Sequence, residues 1–186
     1  MAEQTASTAR RTPPALRDTE WMRALPPALR LVLHANAEGR AAAAAAWGVG
    51  FSAQACRAEI GGGRASLWMG PDEFLLIDAD AGSSDAAIDQ LGRALAGHPH
   101  ALVDVSHRQF ALEVRGPHSE LILGAACPLD LDLSAFPVNT CTRTLLAKAD
   151  ILLWRTGEDT FHMEVWRSFQ GYVSGLLGEI AGEFYG

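Results

Sequence analysis

The tetrapeptide Asp104-Val105-Ser106-His107 holds the carboxylate, hydroxyl and imidazole of a hydrolytic triad within one short segment. In an extended strand successive side chains alternate faces, so Asp104 and Ser106 share one face and His107 takes the other. The three cannot by themselves assemble a nucleophile, its base and the orienting acid. No G-x-S-x-G elbow occurs in the chain, and the segment reads as a polar strand end. His98-Pro99-His100 puts two imidazoles at i and i+2, but in a Gly-Pro loop with no cysteine or carboxylate at ligand spacing, so it reads as a surface loop and not a metal site. His34, His118 and His162 stand isolated. Cys127 and Cys141 lie near Pro128 and Arg143; a neighbouring cation can activate a thiol, but the reading adopted for both is burial as small hydrophobes. Gly48-Val49-Gly50 and Gly61-Gly62-Gly63 do not run from a strand into a helix N-terminus, as a dinucleotide-binding loop must. Asp72-Glu73, Asp130, Asp132 and Glu158-Asp159 fall at turns, where carboxylates accept backbone N–H groups. From the residues alone, no catalytic, cofactor-binding or metal-binding set is assigned.

The bulk properties limit the partners. Fifteen Lys and Arg against 22 Asp and Glu leave a net charge of −7, the wrong sign for a phosphate backbone, so nucleic-acid binding is not expected. The longest near-apolar run, Ala41 to Phe51, is interrupted by Gly48 and Gly50 and falls short of the roughly 20 residues of a membrane span. Arg10 and Arg11 are followed by Thr12, Pro13 and Pro14, where an export signal would place its apolar core. Three cysteines without a CxxC pair imply neither a disulfide framework nor a zinc knuckle, and a reducing cytoplasm is the expected compartment. Hydrophobic residues make up 48% of the 186, but alanine is prominent and aromatics are 8%, so the expectation is a thin, interface-dependent core carried by five Trp.

The elements that must position these residues follow from periodicity and turn chemistry. Met1 to Glu20 has almost nothing large to bury and reads as a flexible tail. Leu29–His34 alternates as a strand, and Asn36 can cap a helix through Ala41–Ala46 that Gly48 and Gly50 end. Ala53–Ile60 and Ala65–Met69 flank Gly61-Gly62-Gly63 as a hairpin, and Phe74–Ile77 follows the turn Gly70-Pro71-Asp72-Glu73. Ser83, Ser84 or Asp85 caps a helix facing inward through Ile88, Leu91 and Leu95. The second half repeats this order: strands Ala101–Val105 and Gln109–Arg115, a Gly116-Pro117 turn, a helix to about Ala126, strands Thr142–Leu146, Asp150–Trp154 and Thr160–Trp166, and a final helix capped by Ser168. Trp68, Gly70, Asp72 and Phe74 match Trp154, Gly157, Asp159 and Phe161, which points to a duplicated α+β half. The last helix turns Phe169, Tyr172, Val173, Leu176, Leu177 and Ile180 to the sheet. Its back carries Gly171, Gly175, Gly178 and Gly182, each costing about 1 kcal/mol against alanine, and this smooth stripe is a candidate subunit interface.

Two segments carry a resemblance. Asp104-Val105-Ser106-His107 with Val114-Arg115-Gly116-Pro117, and Thr156-Gly157-Glu158-Asp159-Thr160-Phe161, resemble signatures of the aminomethyltransferase (glycine-cleavage T-protein) superfamily, whose Thr-Gly-Glu-x-Gly-Phe-Glu loop helps build a tetrahydrofolate pocket. Thr160 and His162 stand where that pattern has Gly and Glu. Within the superfamily, Cys127-Pro128-Leu129-Asp130-Leu131, Phe136-Pro137, Cys141 through Lys148 and Arg167-Ser168-Phe169 resemble the gamma-subunit family of heterotetrameric sarcosine oxidases. The resemblance implies one folate-binding-like α+β domain over 21–186, built of duplicated β-β-α-β-type halves with antiparallel sheets and packed helices, the pseudo-repeats spanning about 28–97 and 101–186. It implies a non-catalytic subunit with alpha, beta and delta partners, in a complex that oxidises sarcosine to glycine. FAD, FMN, NAD and tetrahydrofolate would be held by the other subunits. The alternative is a stand-alone folate-binding one-carbon protein of the T-protein or YgfZ type.

Overall fold

The structure, a computed structural model, describes residues 18–80 and 84–185. Two five-stranded antiparallel sheets lie face to face, each covered on its outer side by two helices. The first sheet is ordered β3-β4-β5-β2-β6, with β2 Leu29–Ala35, β3 Ala58–Gly61, β4 Arg64–Gly70, β5 Glu73–Asp78 and β6 His100–Asp104. Leu29, Leu31 and Leu33 of β2 and Phe74 and Leu76 of β5 point outward, under α1 (Ala37–Trp47) and α2 (Ser84–Leu95), where they meet Trp47, Leu91 and Leu95. The second sheet is ordered β1-β7-β10-β9-β8, with β1 Met22–Ala24, β7 Gln109–Arg115, β8 Cys141–Leu146, β9 Ala149–Gly157 and β10 Thr160–Trp166. Its outer face packs on α3 (Ser119–Gly124) and α4 (Gln170–Tyr185) through Leu112, Val114, Phe161, Met163, Ile122, Val173 and Leu177. The inner faces meet each other through Leu67, Leu75, Ile77, Leu152 and Trp154. Each fully buried leucine contributes about 1.5–3 kcal/mol, and these three leucine-rich clusters replace the expected thin, tryptophan-borne core. Trp47 is completely buried, whereas Trp166 is 49% exposed.

Local chemistry explains the boundaries. Asn36 accepts the N–H of Gly39 at 2.9 Å to open α1, and Gly48 closes it at φ +79°, a left-handed conformation that glycine adopts without strain. Gly62 and Gly63 both have positive φ (59° and 82°) between the paired Gly61 and Arg64, as a tight two-residue hairpin turn demands.

The two sheets have equivalent strand orders, with β2, β3, β4 and β5 answering to β7, β8, β9 and β10. The edge strand departs from the sequence reading: β6, expected to open the second half, pairs with β2 in the first sheet. Its counterpart in the second sheet is β1, a strand that the sequence did not reveal. The hairpin registers preserve three of the four matched pairs. Gly70 pairs with Glu73 as Gly157 pairs with Thr160, but Trp68 faces Phe74 where Arg155, not Trp154, faces Phe161.

Four further differences are confined to single elements. The strand expected from Ala53 begins at Ala58, because Cys56 adopts φ +58° and turns the chain. Ser168 lies inside a 3-10 turn, Arg167–Phe169, and caps nothing; α4 starts at Gln170. α3 ends at Gly124. Tyr172 is 41% exposed instead of packing on the sheet. Of the expected tail, residues 1–17 lie outside the described residues, and so does Ser83 as a helix cap. Asp18 to Glu20 are fastened: Asp18 accepts the Ala24 N–H at 3.0 Å, Thr19 that of Met22 at 2.9 Å, and Glu20 the Arg115 Nε–H at 3.0 Å. Among the described residues no helix is long and apolar enough to cross a membrane.

Candidate functional site

The residues with apparent triad chemistry serve the backbone. Ser106 Oγ donates to Asp104 Oδ1 at 2.6 Å and accepts the N–H of Arg30 at 2.9 Å, pinning the end of β6 to β2. The Ser106 hydroxyl, aided by its N–H and by the His107 charge, holds the Asp104 carboxyl below the usual carboxylate range against the opposing effect of burial. Ser106 Oγ–H is thus directed at a carboxylate, and His107 is exposed. The Nδ1 of His100 lies 2.8 Å from the His98 carbonyl, and among the described residues no group of three metal-ligating side chains forms. Cys141 is fully buried, and burial pushes its thiol up to about 12. Asp132 accepts both the N–H and the hydroxyl of Ser134, which lower its pKa.

The segments that carry the resemblance do converge. Val114 pairs with Phe161 and Arg115 with Thr160, and the Asp159 carbonyl accepts the Gly116 N–H at 2.9 Å and Ser119 Oγ–H at 3.1 Å. Arg155, 1% exposed, gathers the rest. Its Nη1 donates to the carbonyls of Leu131 (2.7 Å) and Phe136 (2.9 Å), its Nε to that of Glu158 (3.0 Å), and its Nη2 to Glu120 (3.1 Å), while its guanidinium lies 4.7 Å from the centre of the Phe161 ring. The planar fork of arginine suits this convergence of acceptors.

Between the sheets lies a charge cluster that sequence reasoning missed. Arg30 Nε reaches both carboxylate oxygens of Glu164 at 2.8 and 2.7 Å, linking β2 to β10, and Arg30 Nη1 donates to the Ala28 carbonyl at 3.1 Å. His162 Nε2 meets Glu164 Oε1 at 2.7 Å, and its ring lies 5.4 Å from that of Trp154. Burial alone would raise the Glu164 pKa; the His162 bond and charge, together with Arg30, outweigh it and leave the carboxyl below its ordinary range. The signal was a single formal charge in each of two strands, Arg30 in Leu29–Ala35 and Glu164 in Thr160–Trp166. Beside the cluster the sheets splay into a cleft of about 530 Å³, lined by Val32, His34, Glu73, Arg143, Glu164 and Trp166 among others. Arg143 and His34 both pair with Glu73 at its wall, and the Arg108 guanidinium covers Trp166 at 5.4 Å. A folate pocket of the kind the Thr-Gly-Glu loop implies needs a carboxylate free to meet the ligand. Position 162 supplies an imidazole instead, and the carboxylate two residues on is held by Arg30 and His162, so these residues do not fit the group.

The proposed interface glycines, Gly171, Gly175, Gly178 and Gly182, lie on the exposed side of α4, and a Cβ built on any of them meets nothing within 4 Å beyond its chain neighbours and the backbone of its own helix.

The arrangement of paired antiparallel sheets with outer helices is that of the T-protein class. The aminomethyltransferase of the glycine cleavage system from Bartonella henselae superposes with a TM-score of 0.63 at 13% identity, over 84% of this chain and 44% of that one. A chain of the heterotetrameric sarcosine oxidase from Corynebacterium sp. U-96, solved with pyrrole 2-carboxylate, matches more closely, with a TM-score of 0.83 and 36% identity over 89% of this chain and 85% of that one. The model of the sarcosine oxidase gamma subunit family matches residues 34–183, and the chain belongs to that family. The sarcosine oxidase gamma subunit of Arthrobacter sp. is 44% identical over 67% of this chain and 61% of its own length. That of Corynebacterium sp. (strain U-96) is 40% identical over 78% and 70%.

Proposed function

We propose that this chain is the gamma subunit of a heterotetrameric sarcosine oxidase and contributes to assembly, with the chemistry carried by alpha, beta and delta partners. The complex would oxidise the N-methyl group of sarcosine, giving glycine, hydrogen peroxide and formaldehyde or 5,10-methylenetetrahydrofolate. FAD, FMN, NAD and tetrahydrofolate would reside on the other subunits. The carrying observation is the likeness across both sheets to a chain of the solved heterotetramer, at 36% identity over 89% of this sequence. The self-paired Arg30, Glu164 and His162 support a structural role for this chain. The glycine face of α4 is the subunit contact we assign, because side-chain-free helix surface admits another backbone closely. Unpaired thiols at Cys56, Cys127 and Cys141 suit a cytoplasmic location.

The test is co-expression of a tagged chain with alpha, beta and delta subunits, beside a titration of the purified chain with tetrahydrofolate. Recovery of all four chains in equal amounts, with flavin absorbance in the complex and none on the lone chain, is expected. Saturable folate binding by the lone chain, without recruitment of partners, would establish the stand-alone one-carbon protein instead.

A further inference from the structure

We infer that Cys56 and Cys141 are a peroxide-responsive thiol pair, in which Cys56 is oxidised by a hydroperoxide and then closes onto Cys141 as a disulfide between the two halves of the chain. The backbones around them run antiparallel, with Arg57 bridging Thr140. On one side of that bridge the N–H of Ala58 donates to the Asn139 carbonyl at 2.9 Å; on the other the N–H of Cys141 donates to the Cys56 carbonyl at 2.9 Å. That bond holds Cys56 and Cys141 next to each other across the bridge, at about the 5.5 Å Cα separation of directly hydrogen-bonded neighbours, and Cys56 leaves the ladder there at φ +58°. A disulfide spans about 4.4–6.8 Å between Cα atoms. The side chains share a neighbourhood as well, since charge on Cys56 opposes ionisation of Cys141.

Access assigns the roles. Cys56 is half-buried, at the end of the exposed turn Ala53-Gln54-Ala55, whereas Cys141 is 0% exposed with its Sγ 3.7 Å from the Trp68 carbonyl. The Cys56 thiolate attacks one oxygen of the hydroperoxide; the S–O bond forms, the O–O bond breaks, and the leaving hydroxide takes up a proton to depart as water (or, from an alkyl peroxide, as the alcohol). The Cys141 sulfur then attacks the resulting sulfenic sulfur; the S–S bond forms, the S–O bond breaks, and the hydroxyl leaves with the Cys141 proton as water. Two electrons pass from the two thiols to one peroxide. That hydrogen peroxide is at hand rests on the function proposed above, whereas the geometry of the pair does not.

The test adds near-stoichiometric hydrogen peroxide to the reduced full-length chain, alkylates it after unfolding and maps its peptides without reductant. Peroxide is a reagent here, so the result is independent of whether the chain joins an oxidase. A linked peptide pair joining Cys56 to Cys141, lighter by two hydrogens, with Cys127 still alkylated, is expected. The C141S variant should lose the linked pair and hold Cys56 as a sulfenic acid that dimedone labels; C56S should lose it and leave Cys141 alkylated. Cys56 driven to sulfinic acid in the wild-type chain while Cys141 stays alkylatable, a linkage through Cys127, or no oxidation at either site overturns the inference.

Discussion

Glu164→Gln keeps the shape of the side chain and removes its charge, which isolates the contribution of the ion cluster between the sheets. The two partners are 4% and 1% exposed, so water does not screen the change. The Arg30 guanidinium would keep the Ala28 carbonyl at 3.1 Å and an amide oxygen, but no counter-charge. Removing one partner of a buried pair costs about 3–5 kcal/mol, a large share of the roughly 5–15 kcal/mol that holds a domain together. At about 2–4 °C per kcal/mol for a chain of this size, the melting temperature should fall by about 6–20 °C. Arg30→Met should cost a similar amount, but Arg30→Met with Glu164→Leu should return to within about 2 kcal/mol of wild type, because an apolar pair avoids the desolvation penalty altogether. The pH arm follows from the depressed Glu164 pKa. Its stabilisation is complete above the unfolded carboxyl value of about 4.3 and is lost as pH falls through the lower folded value. Glu164→Gln should lack that part of the acid limb. Urea titrations followed by tryptophan fluorescence, at neutral pH and down the acid limb, measure both arms. Single substitutions costing less than about 1 kcal/mol, or a double variant costing the sum of the two, would refute a coupled buried cluster.

Gly175→Leu should leave the lone chain folded, since the added Cβ meets nothing within 4 Å beyond its chain neighbours and its own helix backbone, but should weaken recruitment of partner subunits about tenfold or more by overpacking the contact; thermal melting and co-purification measure the two effects. Arg155→Met strips donors from the carbonyls of Leu131, Phe136 and Glu158 at about 1–3 kcal/mol for each buried acceptor left bare, and limited proteolysis should then cut residues 128–137 first. Arg155→Lys should recover little, because an ammonium cannot reproduce the fork. Asn36→Ala removes the side-chain acceptor at 2.9 Å from Gly39 and should lower stability by about 1 kcal/mol in a denaturant titration.

What could be read from the chain was what local chemistry specifies. Asn36, the Gly62-Gly63 turn and the alternation of Leu29, Leu31 and Leu33 act within a few residues of themselves, and their elements stand where the pattern put them. β1 was not legible because three residues, Met22 to Ala24, carry no period; it exists because the Leu112–Val114 edge of β7 accepts it. The placement of β6 is a tertiary choice. Its segment is as consistent with opening a second sheet as with returning antiparallel beside β2, and the pairing of Leu31 with Asp104 through Ala35 with His100 decides it. The correspondence of the two hairpins was visible in Gly70, Asp72 and Phe74, yet Trp68 was matched to Trp154, one residue away from Arg155, because a bulge in each hairpin is invisible until the strands are paired.

The charge cluster shows why a substitution apparent in the sequence had consequences that were not. His162 in place of a carboxylate reads by itself as a lost ligand group. In the fold, its side chain and that of Glu164 meet, and Arg30 approaches the same carboxylate from the facing sheet. An isolated carboxylate in this seam would carry a desolvation penalty of several kcal/mol; with Arg30 and His162 around it, the penalty is offset inside the chain. A ligand seeking that carboxylate would have to break the bond that ties β2 to β10 and bear the roughly 3–5 kcal/mol of an unpaired buried charge. The same contacts that join the two sheets therefore occupy the carboxylate such a ligand would need.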